Sequence, residues 1–133
     1  MPGSNVGWPL DTNGLDDSGE PLTIGKDLGL DFPIAKTIPP TVDFTAALSL
    51  SGFTFHNGHQ FPAWNRDLLV ASRRASTMFR IRVRDSQLLE IEKLVEHLGR
   101  VCDVEMGSEG IVYLLVEKQH GGRLHRIKPA ARR

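Results

Sequence analysis

Histidines, a single cysteine and a run of arginines are the residues of this 133-residue chain whose chemistry could serve a site. His56 and His59 have the H-x-x-H spacing of a metal-binding pair. Asn57-Gly58 between them marks a tight turn, however, and no third ligand stands nearby, so both are expected on a turn surface. His97, His120 and His125 are scattered. Cys102 could act as a nucleophile only where a helix N-terminus or a paired histidine lowered its pKa. Neither is evident, and Cys102 reads as a small buried residue. Arg80, Arg82 and Arg84 alternate with Phe79, Ile81 and Val83, which places the charges on one face of a strand and the apolar groups on the other. With Arg73, Arg74, Arg132 and Arg133 they could form a nucleic-acid footprint. The aromatic residues of a base-stacking platform are missing and the formal net charge is zero, so no nucleic-acid partner is expected. Arg100 also alternates with apolar residues, and by itself reads as a solvated edge arginine.

The elements that would position these groups follow from composition and pattern. A chain of this length with 40% hydrophobic residues makes one domain. No stretch reaches the roughly 20 apolar residues of a membrane span, and no membrane partner is expected. One cysteine excludes an internal disulfide framework and a cysteine-rich zinc module. Residues 1–13 lack a basic region followed by an apolar run, so the chain as written is expected in the cytoplasm. Residues 1–45 carry seven acids and two lysines, against nine acids and fourteen bases in 46–133, giving halves of −5 and +5. The first half is rich in Gly and Pro and reads as a loop-rich lead-in.

From Ser51 onward, short apolar or alternating runs separated by turn signals predict an all-β fold. Strands are expected at about 51–56, 67–72, 77–84, 87–95, 100–106, 110–117 and 122–128. Leu88, Ile91, Leu94, Val95 and Leu98 would also fit a helical stripe, but a helix would interrupt the hairpin pattern. Leu68-Leu69-Val70 recurs as Leu114-Leu115-Val116, and Phe79-Arg80-Ile81 as His125-Arg126-Ile127, both at an offset of 46. A duplicated unit of this length, made of short strands, is the scale of a β-propeller blade. About two blades, over residues 46–133, follow the lead-in.

Six strings in order then resemble the soluble pyrroloquinoline-quinone-dependent sugar dehydrogenases of the glucose/sorbosone dehydrogenase type. Gly3-Ser4-Asn5-Val6-Gly7-Trp8-Pro9 is similar to the family's GSNYGWP. Ser51-Gly52-Phe53-Thr54-Phe55 is similar to SGMAFY, and the run from Phe61-Pro62-Ala63-Trp64 to Leu68-Leu69-Val70 to FPxWxxxLFV. Arg100-Val101-Cys102-Asp103-Val104 answers to RIRDV, Gly107-Ser108-Glu109-Gly110 to GPDG, and Gly122-Arg123-Leu124-His125-Arg126-Ile127 to GRLLRL. The resemblance implies a six-bladed propeller of which this sequence matches the C-terminal part.

It also implies chemistry. The family oxidises aldose sugars with the quinone and calcium, and its members are typically periplasmic or secreted. The family's histidine base and calcium ligands lie upstream of the matched part, so no residue here is assigned a catalytic or metal role. Arg100 matches a cofactor-binding arginine, Arg74 falls where the family has a lysine, and Phe44 falls where an aromatic residue lines the cofactor. Cys102 stands where a second arginine is expected, and Asp43 replaces a tyrosine, placing an acid where a tricarboxylate would bind. Two readings stay open: a catalytically incomplete piece of a quinoprotein sugar dehydrogenase, and a non-catalytic propeller module. In either, two blades cannot close a ring. Apolar faces around Leu68–Val70 and Leu114–Val116 are expected to seek either the missing blades or further copies of the chain, with a trimer favoured over a dimer.

Overall fold

The computed structural model describes residues 3–8, 15–16, 18–22, 24–30, 37–44 and 48–130. The chain divides into two compact units, Met1–Ala47 and Leu48–Arg133.

In the first unit the described residues hold a single helical turn, α1 (Ile24–Asp27), and a bridge between Leu15 and Pro21. An Asx turn shapes that bridge: Asp16 Oδ1 accepts hydrogen bonds from the backbone N–H groups of Ser18 (2.8 Å) and Glu20 (2.9 Å).

The second unit contains seven strands: β1 (Leu50–Phe55), β2 (Leu68–Ser72), β3 (Thr77–Arg84), β4 (Gln87–Val95), β5 (Arg100–Met106), β6 (Val112–Lys118) and β7 (Gly121–Ile127). They form two antiparallel meanders, β1-β2-β3-β4 and β5-β6-β7. Local chemistry accounts for the hairpins. Asp85 and Ser86, both at positive φ, join β3 to β4 in the two-residue turn whose twist matches the strands. That turn settles Gln87–Val95 as a strand despite its helical stripe.

The core lies between the two sheets. Leu69, Ala71 and Met78 of the first pack with Val101, Val104, Val112, Leu114 and Val116 of the second. The sheets approach closely at β1 and β5, where Ser51 Oγ donates to the Val101 carbonyl at 3.1 Å. A Cβ on Gly52 would come within 3.0 Å of Asp103 Cα, so this position requires glycine.

The sequence repeat maps β2 onto β6 and β3 onto β7, and its phase reveals how the sheets stack. Leu69 and Met78 are 0% exposed in the seam, whereas their equivalents 46 residues on, Leu115 and Leu124, are 45% and 69% exposed. Leu114 and Val116, equivalent to Leu68 and Val70, fill the seam from the other side. Equivalent residues thus point the same way in both sheets. The sheets stack face to back, as successive blades do, and not face to face as in a sandwich. This corrects the expected apolar exposure: Leu69, Val70, Leu114 and Val116 are buried, and the exposed apolar groups of the sheets include Leu115 and Leu124 of the second and Phe53, Phe55, Leu88, Leu89 and Ile91 of the first.

The charged face of β3 is itself partly enclosed, because Arg80 is buried. Its guanidinium meets the fully buried Asp67 at 2.8 Å, Glu90 at 3.0 Å and Glu92 at 2.6 Å. Arg82 and Arg84 reach the same Asp67 at 3.1 and 2.7 Å. Burial alone would raise the Asp67 pKa, but hydrogen bonds from Arg82, Arg84 and Arg80 outweigh it and hold the carboxyl below its ordinary value.

His56, expected on a turn surface, is also buried. Its Nδ1 accepts from the Gly58 N–H at 2.8 Å, which leaves Nε2 to donate to the Gly110 carbonyl at 3.3 Å. Phe61 and Trp64 pack edge-on against the ring. His59 is the exposed one of the pair, its Nδ1 at 2.8 Å from the Glu109 carbonyl. Together the two histidines tie the β1–β2 connection to the β5–β6 turn, at the seam's opposite end from the start of β5.

Burial lowers the His56 pKa below its ordinary 6.5, more than the Gly110 carbonyl and the Asp67 charge raise it. The unfolded chain therefore takes up a proton that the folded chain resists, and stability falls as pH drops below about 6.5. Urea unfolding at pH 7.5 and 5.5 should show a lower midpoint at the acidic pH. His56→Gln should flatten that dependence.

Candidate functional site

The resemblance assigns Arg74, Arg100 and Phe44 to the cofactor. Arg100 opens β5, and the β5–β6 register sets it opposite Glu117. Arg100 Nε lies 3.6 Å from Glu117 Oε2, and Arg73 Nη2 donates to the same oxygen at 2.9 Å. A guanidinium group from the β2–β3 turn and one from β5 thus meet on one carboxylate. The hydrogen bond from Arg73, followed by the charge of Arg100, holds the Glu117 pKa below its ordinary value.

Cys102 shares this cluster, its Sγ 3.8 Å from Glu117 Oε2. It occupies a β-bulge: Val101 pairs with Val116 and Asp103 with Leu115, leaving Cys102 opposite no partner. The thiol is half-buried, less enclosed than the buried residue expected from sequence. Val101 and Val104, three positions apart, both enter the core across the bulge.

Arg74 follows Arg73 in the β2–β3 turn and is exposed, with its N–H on the Leu48 carbonyl at 3.3 Å. Phe44, half-buried, and Asp43, exposed, belong to the first unit. The structure therefore gathers Arg100, Cys102 and Arg73 around Glu117, with Arg74 next along the chain. Sequence reasoning missed Arg73 and Glu117. The Gly107–Gly110 turn held the signal for Glu117, since folding the chain back there brings it opposite Arg100.

The donor set suits a carboxylate-bearing ligand. Guanidinium forks match carboxylates bidentately, and Arg73 Nε is buried without a hydrogen-bond partner. A metal is not matched: among the described residues no group of three or more His, Cys, Asp or Glu could hold one. Among those residues, too, no helix is long and apolar enough to cross a membrane.

Two antiparallel sheets stacked face to back, with cationic side chains gathered at one end of the seam, define part of a β-propeller. Comparison with known proteins makes the assignment specific. Residues 1–126 match the Glucose / Sorbosone dehydrogenase family, and the chain belongs to it. It is 27% identical over 128 residues to the aldose sugar dehydrogenase YliI of Escherichia coli K12, covering 96% of this chain and 33% of that protein. Among solved structures, a glucose dehydrogenase superimposes with a TM-score of 0.81 at 28% identity, over 98% of this chain and 36% of the other. The apo-form of the soluble aldose sugar dehydrogenase of Escherichia coli gives a TM-score of 0.77 at 25% identity, over 96% and 36%. The chain spans about a third of the length of these relatives, and only that part of the propeller is present.

Proposed function

We propose that the chain is the C-terminal part of a quinoprotein sugar dehydrogenase that contributes arginines to the carboxylate side of pyrroloquinoline quinone and leaves base and calcium to the remainder of the fold. The observation that carries this reading is the convergence of Arg73 and Arg100 on one carboxylate, with Arg73 Nε still unpartnered. When bound, the quinone supplies the two-electron acceptor for oxidation of a sugar hydroxyl. Arg100, Arg73 and Arg74 would bind and orient its carboxylates.

Glu117 competes with such a ligand for the same guanidinium groups. Absorbance titration with the quinone should show saturable binding, weakened about 10- to 100-fold in Arg100→Ala by loss of a charge-assisted hydrogen bond. Arg74→Ala should weaken it as well, and Glu117→Gln, which frees the arginines, should tighten it. The chain alone should not reduce a redox dye with glucose. Absence of quinone binding would leave the second reading, a propeller module that has discarded the chemistry, which Glu117 and the cysteine in place of a second arginine favour.

A further inference from the structure

The turn that holds His56 and His59 also brings together the parts of a reaction that needs no second molecule but water. Asn57 precedes Gly58, and a glycine nitrogen is open to the side-chain carbonyl before it because no Cβ shields it. Gly58 has a φ of +78°, and a Cβ there would lie 2.7 Å from Asn65 Cβ, so the position requires glycine.

Hydrogen bonds organise the pair. The Gly58 N–H points at His56 Nδ1, 2.8 Å away. Because Nε2 carries the ring proton toward the Gly110 carbonyl, Nδ1 presents its lone pair, and burial keeps the ring neutral. Asn57 Oδ1 accepts from the His59 N–H at 2.9 Å, a donor placed to steady negative charge on that oxygen. The Asn57 N–H lies on Met106 Sδ at 3.3 Å, which pins the turn against β5. A base thus faces the nitrogen, and a donor faces the carbonyl it would attack. Asn57 is exposed and, with Gly58, His59, Pro62, Asn65 and Ser108, lines an open cavity of about 490 Å³, so water reaches it and ammonia can leave.

We propose that Asn57 is a self-modification site, at which the folded chain converts asparagine to aspartate and isoaspartate with His56 as the general base. His56 Nδ1 takes the Gly58 amide proton as the Gly58 nitrogen bonds to Asn57 Cγ, and the oxyanion forms on Oδ1 against the His59 N–H. The histidine then returns the proton to Nδ2, the Cγ–Nδ2 bond breaks, and ammonia leaves a cyclic imide. Water adds to either carbonyl of the imide and reopens it, with no change of oxidation state. Opening at the main-chain carbonyl gives isoaspartate, which lengthens the backbone by one methylene and adds a carboxylate to the turn. The tie between the β1–β2 connection and the β5–β6 turn is loosened, and the seam weakens as the chain ages.

Incubation of the full chain at neutral pH, native and in guanidinium chloride, tests this. Peptide mapping by mass spectrometry separates conversion at Asn57 from that at the other Asn-Gly pair, Asn13-Gly14. Asn57 should convert about 10-fold faster in the native chain than in the unfolded one, a fraction of what a fully aligned general base supplies. His56→Gln should bring the native rate down to the unfolded rate or below it. If circular dichroism shows that variant unfolded, native against unfolded wild type decides alone. Aged wild type should have a lower urea midpoint than fresh chain, while Asn57→Gln aged alongside keeps its own. A native rate at or below the unfolded rate would overturn the proposal, as would a folded His56→Gln variant that converts as fast as wild type.

Discussion

Asp67→Asn is expected to destabilise the fold by about 3–5 kcal/mol, the range for removing one partner of a buried ion pair. The carboxylate is 0% exposed and accepts from Arg80, Arg82 and Arg84, with the Arg80 side chain only 8% exposed. Asparagine keeps the shape and loses the charge, leaving a buried guanidinium with only the peripheral Glu90 and Glu92. Those two side chains are 43% and 46% exposed, so Glu92→Gln should cost only about 0–1 kcal/mol. Urea midpoints of the two variants decide the matter, and an asparagine variant as stable as wild type would show that the three arginines do not depend on Asp67. The depressed Asp67 pKa gives the same cluster a pH signature. Its contribution is present above the ordinary carboxylate range and is lost as pH falls through the folded value, well below the window in which His56 acts.

Leu114→Ala should cost about 2–5 kcal/mol, the range for emptying a fully buried leucine site. Its neighbour Leu115 points away from the seam and is 45% exposed, so Leu115→Ala should stay within about 0.5 kcal/mol. The dipeptide thereby tests the stacking phase directly. Equal losses at the two positions would mean that the face-to-back arrangement is wrong.

Strands and turns were legible because their causes are local. Alternation, the Asp85-Ser86 turn and the glycines after Met106 all act within a few residues, and the family strings fixed the architecture. A single helical turn at Ile24–Asp27 carried no comparable periodic signal. Less visible was everything that depends on strand register. The burial of Arg80 was not visible, because its partner Asp67 precedes it by 13 residues and lies on another strand's approach. His56 looked like turn surface because the carbonyl that receives its Nε2 proton is 54 residues away. Glu117 entered the site for the same reason, through pairing across a hairpin. The half of the repeat that faces outward was also hidden, since two identical tripeptides carry no mark of which leucine will be covered.

The two meanders also set an order of assembly. Within each sheet every pairing joins strands consecutive in the chain, so the sheets close through hairpins, the short ones on the order of microseconds each. The seam instead joins residues 50 and 54 positions apart, as between Ser51 and Val101 or His56 and Gly110. Its loop-closure entropy is met only after the hairpins exist, so docking of preformed sheets is the late event. Side chains that act across the seam then contribute little to the folding transition state and chiefly slow unfolding. The persistence time of the paired sheets, rather than the speed with which they form, is what Val101, Leu114 and His56 govern.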